Sequence, residues 1–167
     1  MMRSRTAIAA CVLPGSAAVA FNSTCEGMLK TLKSAVPVLP LGANPAFASA
    51  LGRVVAKLNT ARSRAGRQLA SAKNPKAQAA AARSLAGAYQ QAASGVAHLQ
   101  PGPIGAEGSA AIVSALRELG AGYRRLSSAA AHNNKRAYAA ARAQIAQAQT
   151  ALTAGFGKLQ QAGYSIG

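Results

Sequence analysis

Residues Asn74 to Leu99 read NPKAQAAAARSLAGAYQQAASGVAHL, a pattern that an α-helix satisfies and a strand does not. Ala82, Leu85, Tyr89, Ala92, Val96 and Leu99 recur at alternating spacings of three and four, one face of a helix. Asn74 supplies the N-cap and Pro75 a first-turn residue whose fixed φ suits the helix. Alanine, the best helix former, fills much of the space between. Pro101-Gly102-Pro103 then stops the helix and opens a loop running to about Gly108.

The same signals recur on either side. Upstream, Asn44-Pro45 starts a helix whose seam is Phe47, Leu51, Val54, Leu58, Ala61, Ala65, Leu69 and Ala72. Downstream, Ile112, Leu116, Leu119, Tyr123, Leu126 and Ala130 line a third helix, closed by His132-Asn133-Asn134 with an asparagine as the next cap. Tyr138, Ala141, Ile145, Ala148, Leu152, Phe156 and Leu159 line a fourth, ending near Gly163. Turns this short favour antiparallel neighbours. The expected fold is all-α: an up-down bundle of four long helices over 45–163, preceded by one short helix. Residues 21–44 hold that short helix, opened by the capping box Ser23-x-x-Glu26, and a Pro-rich linker; 164–167 form a tail.

Composition agrees. Alanine makes up roughly a quarter of the 167 residues, against four Tyr, three Phe and no Trp. A sheet needs far more β-branched and aromatic side chains, whereas alanine seams let helices approach closely.

The N-terminus reads as a leader. Met1-Met2-Arg3-Ser4-Arg5 is basic, an apolar run to Phe21 follows, and Ala18-Val19-Ala20 offers the small-x-small site of a signal peptidase after Ala20. Export is the expectation. Ile8-Ala9-Ala10-Cys11 also fits a lipoprotein pattern, but only five residues separate Cys11 from Arg5. Cleavage after Ala20 leaves Cys25 as a single thiol, on a face with Leu29, Leu32 and Val36. Whether Cys25 bridges two chains stays open, as does the oligomeric state.

Chemistry is bounded by what is scarce. Glu26, Glu107 and Glu118 are the three acids, one in a cap, one in a loop and one within a helix, so no paired carboxylates emerge. His98 and His132 each end a helix and would lie at opposite poles of an antiparallel bundle. The spacing therefore points to no catalytic residue, no metal ligand set and no cofactor-binding motif.

What remains is charge. Nineteen Lys and Arg give a net charge of +16. Arg53, Lys57, Arg64 and Arg67 align on one helical face, and Arg124 and Arg125 extend the basic character to a later helix. Guanidinium forks suit phosphates and carboxylates, although any bundle also needs a solvated outer face. These six are the candidate polyanion-binding residues. The partner they imply is an anionic envelope polymer, a lipid surface or an acidic protein. Intracellular nucleic-acid binding, as by a histone-like protein, is the alternative.

Arg83-x-Leu85-x-x-x-Tyr89 through His98 is echoed 34 residues later by Arg117-x-Leu119-x-x-x-Tyr123 through His132. That period is the tetratricopeptide one, but the helices are about twice too long for such repeats. Phe21-Asn22-Ser23-Thr24-Cys25, the Pro-rich break, the Ala/Leu/Arg helices and the Gly-Tyr ending together resemble alanine-rich helical secreted or lipid-anchored proteins of actinobacteria. The resemblance implies export and a helical fold, and it carries no activity. The resemblance also implies a second cysteine near the C-terminus able to pair with the first; Tyr164-Ser165-Ile166-Gly167 has none, so such a disulfide is not expected here.

Overall fold

The computed structural model describes residues 42–165. The expectations for the leader with its Ala18 and Ala20 site, for Cys25 and for the short first helix lie outside that range. Within it are four helices: α1 (Pro45–Ala70), α2 (Pro75–Ala97), α3 (Ala106–Ala131) and α4 (Lys135–Gln161). They are 26, 23, 26 and 27 residues long, roughly 35–40 Å each.

Three of the four starts use the side chain foreseen. Asn44 Oδ1 accepts from the amides of Ala46 and Phe47, Asn74 Oδ1 from Ala77 and Asn134 Oδ1 from Ala137. The fourth start differs from expectation. α3 begins at Ala106 without a side-chain cap, so Glu107 sits in its first turn rather than in a loop. There the carboxylate faces the positive end of the helix and accepts from Lys158 Nζ of α4 at 2.6 Å. That partner holds Glu107 below the usual carboxylate range, first through the hydrogen bond and then through its charge.

The helices form an up-down bundle in which close backbone approach joins only consecutive helices. Among the described residues no Cα pair within 8 Å joins α1 to α3 or α4, or α2 to α4. α2 and α3 therefore each bury two faces. On α2 the expected seam of Ala82, Leu85, Tyr89, Ala92 and Val96 is buried, and so are Ala79, Ala81, Ala86 and Ala93. On α3, Gly120 and Ser127 lie against α2, whereas Gly108 and Gly122 lie against α4.

Glycine sets the closeness of the α3–α4 seam. Added Cβ atoms at Gly108, Gly122 and Gly155 would lie 2.7, 2.8 and 2.9 Å from Leu159, Ile145 and Ile112. Each glycine on one helix thus receives a large side chain from the other, in a single antiparallel register held along the seam. Burying each of those Leu and Ile side chains contributes on the order of 2 kcal/mol.

Beyond α4 the chain stays packed as far as Tyr164. Gly163 takes φ +85°, a left-handed C-terminal turn in which the Tyr164 amide donates to Leu159 O at 3.0 Å. The turn sends the Tyr164 ring into the core, where it is 2 % exposed and meets Phe47 edge-on at 5.3 Å. Its hydroxyl donates to Pro101 O and accepts from the Asn44 amide. One side chain thereby ties the end of α4 to the start of α1 and to the α2–α3 loop.

Candidate functional site

Folding the chain back at its two tight turns sorts the charge. One pole holds the α1–α2 turn at Ser71–Asn74 and the α3–α4 turn at His132–Asn134; the other holds the α2–α3 loop and Tyr164. The half nearer the turns carries eleven Lys and Arg and no acid: Arg62, Arg64 and Arg67 on α1, Lys73, Lys76 and Arg83 around α2, and Arg124, Arg125, Lys135, Arg136 and Arg142 on α3 and α4. The opposite half carries four cations, Arg53, Lys57, Arg117 and Lys158, against Glu107 and Glu118. All fifteen cations are exposed. Only Lys158 has an ion-pair partner among the described residues.

The six candidate residues are therefore split. Arg64, Arg67, Arg124 and Arg125 belong to the basic pole, whereas Arg53 and Lys57 continue the α1 stripe towards the other end. From Arg53 to Arg67 that stripe is about 21 Å long at 1.5 Å per residue. Several arginines are held in place by neutral partners. Arg53 donates to Ser49 Oγ at 2.9 Å, Arg124 to Gln90 Oε1 at 3.2 Å and Arg125 to Gln144 Oε1 at 2.5 Å. Amide partners orient a guanidinium without cancelling its charge, so the positive field is kept while side-chain freedom is reduced.

Two recesses flank the pole. The larger, about 540 Å³, lies between the end of α3 and the start of α4, beside Arg125, Ser128, His132, Asn134 and Gln144. The second, about 350 Å³, lies between α1 and the α2–α3 pair, bounded by Asn59, Arg62, Gly66, Leu85 and Tyr123. Tyr123 stacks on Tyr89, with centroids 5.4 Å apart and planes inclined by 9°. The 34-residue echo thus places its two tyrosines against each other.

Burial pushes both phenols above their ordinary value of 10.0, and the nearby Arg62 charge partly opposes it. The folded state therefore keeps protons that the unfolded chain releases above pH 10, and stability falls as pH rises through the folded values. Alkaline unfolding followed by circular dichroism should move to higher pH in Tyr123→Phe, which keeps the ring and removes one titration. An unchanged midpoint would contradict that linkage.

The two histidines serve their helix ends. His98 Nδ1 pairs with Ser94 O at 2.7 Å and His132 Nδ1 with Ser128 O at 2.8 Å. A carbonyl only accepts, so each Nδ1 carries the proton. His98 ends α2 and His132 ends α3, at opposite poles. Among the described residues no three His, Cys, Asp or Glu side chains gather where they would hold a metal ion, and no helix is long and apolar enough to cross a membrane.

The chain matches no protein-family model, no curated protein and no solved structure.

Proposed function

We propose that the chain is a non-enzymatic, basic helical interaction module that acts outside the cytoplasm and binds an anionic envelope surface, lipid or polymer, through its basic pole. The observation behind this reading is the sorting of charge along the bundle axis, eleven cations with no acid in one half and four cations with two acids in the other. Such a distribution makes the molecule a positive tip on a weakly charged shaft. A tip suits a plane of phosphates or carboxylates, and an acidic protein presenting such a plane is an equivalent partner. The leader-like residues up to Ala20 motivate the compartment. Duplex nucleic acid is the rival polyanion. Among the described residues Phe47, Tyr89 and Tyr164 are buried and Tyr123, Tyr138 and Phe156 half-buried, so none offers a fully exposed ring for stacking unpaired bases.

Each cation near an anionic membrane contributes about 1 kcal/mol. Removing three from the pole (Arg64→Gln, Arg67→Gln, Arg124→Gln) is therefore expected to weaken binding to phosphatidylglycerol vesicles about a hundredfold at about 0.1 M salt, where the Debye length is about 10 Å. Removing Arg53, Lys57 and Arg117 in the same way should change it by roughly threefold or less, because those sites lie beyond a Debye length of the docked pole. Equal losses in the two variants would overturn the polar attachment. Tighter binding to duplex DNA than to vesicles at matched salt would replace it with the nucleic-acid reading. For the compartment, N-terminal sequencing of native protein should find Phe21 first; an intact Met1 in the cytosol would refute export.

A further inference from the structure

The recess between the end of α3 and the start of α4 has an unusual hydrogen-bond balance. Its fixed acceptors each already receive a hydrogen bond from within the protein. Gln144 Oε1 accepts from Arg125 Nη1, Asn134 Oδ1 from the Ala137 amide, and Ser128 O from both His132 Nδ1 and the His132 amide. Beside the remaining lone pairs of the two amide oxygens and of His132 Nε2, the recess keeps a larger set of unspent donors. Arg125 has spent one of its five N–H groups, and the side-chain NH₂ groups of Gln144 and Asn134 have no partner among the described residues. The floor is made of alanine, from Ala129, Ala137, Ala140 and Ala141, and competes for nothing. The half of the bundle around it contains no carboxylate to fill the seat from within.

A concave site with donors to spare, a guanidinium pinned across two helices and no acid nearby is complementary to an oxyanion. We propose that this recess seats a single phosphate group, gripped by Arg125 with Gln144 and Asn134, and with His132 at its edge. The proposal rests on the basic-pole reading and sharpens it: the pole supplies a diffuse field, and the recess supplies one defined contact within it. At about 540 Å³ the recess has room for more than the phosphate, so a phosphorylated headgroup or a soluble phosphate ester fits the same chemistry.

Titration of the full chain with inorganic phosphate, at ionic strength held constant with chloride and followed by amide NMR, tests it. Saturable shifts are expected at residues 125–144 and not at Arg64, Arg67 or Lys76. Ala140→Leu fills the recess without altering any charge, on an exposed helical position; it should abolish those shifts and leave binding to phosphatidylglycerol vesicles within twofold. Arg125→Gln should weaken phosphate at least tenfold. Shifts spread evenly over all the cations, or phosphate binding by Ala140→Leu equal to that of the native chain, would overturn the seat. Loss of the pole reading looks different, since neither protein would then bind anionic vesicles. The two sources are separated by vesicles of equal surface charge bearing either phosphate monoester or phosphate diester headgroups. A monoester preference that Ala140→Leu removes assigns the seat to a lipid headgroup, and no preference assigns it to a soluble phosphate.

Discussion

Gly155→Val should remove about 3 kcal/mol of unfolding free energy, visible as a fall in the urea midpoint at unchanged slope. The reason is local. A Cβ at position 155 would meet Ile112 Cγ1 at 2.9 Å and the Ile112 backbone nitrogen at 3.1 Å. A side chain can rotate away but a backbone cannot, so α3 and α4 must separate, and Gly108 and Gly122 then lose their fit to Leu159 and Ile145. Adding a Cβ where there is space should have the opposite sign. Gly87 on α2 has no atom within 4 Å of an added Cβ, so Gly87→Ala is expected to gain up to about 1 kcal/mol from helix propensity. If both glycines behaved alike, close approach would not be what sets the α3–α4 seam.

Tyr164→Ala should cost about 4 kcal/mol despite lying close to the end of the chain, where substitutions are ordinarily tolerated. It removes a buried ring packed against Phe47 and leaves the Asn44 amide and Pro101 O without the hydroxyl between them. Tyr164→Phe separates the contributions. It keeps the ring and should lose only about 1–2 kcal/mol, the cost of the unmade hydrogen bonds. Denaturant unfolding of both variants checks this. Near-native stability of Tyr164→Ala would mean that the start of α1 is held by other contacts.

The helices and their starts were legible because their signals are local. Asn44-Pro45, Asn74-Pro75 and Asn134 act within one turn of themselves, and Leu, Ile and Tyr at spacings of three and four mark a face. The second buried faces of α2 and α3 were not legible. Alanine, glycine and serine at 79, 86, 93, 122 and 127 have the same composition as the exposed surface, and only a neighbouring helix tells them apart. Ser127 illustrates this: its hydroxyl donates to Ala79 O across the α2–α3 seam at 2.8 Å, between residues 48 positions apart. The role of Tyr164 was hidden for a similar reason, since it depends on the turn at Gly163 and on partners at positions 44, 47 and 101. Each arginine of the site was visible singly. Their gathering at one pole emerges only when the hairpins are folded back, which assigns residues 62–83 and 124–142 to the same end.

Because every seam joins helices adjacent in the chain, assembly requires no long loop to close before contacts begin to form. Each new helix finds its partner already made, so α1 with α2 constitutes a first hairpin, α3 adds to its edge and α4 to the edge of α3. A polypeptide of this kind can gain structure progressively as it emerges, N-terminus first, from a ribosome or a membrane channel. Tyr164, which follows α4, joins the last of the four helices back to the start of α1 and acts as the clasp that completes the order.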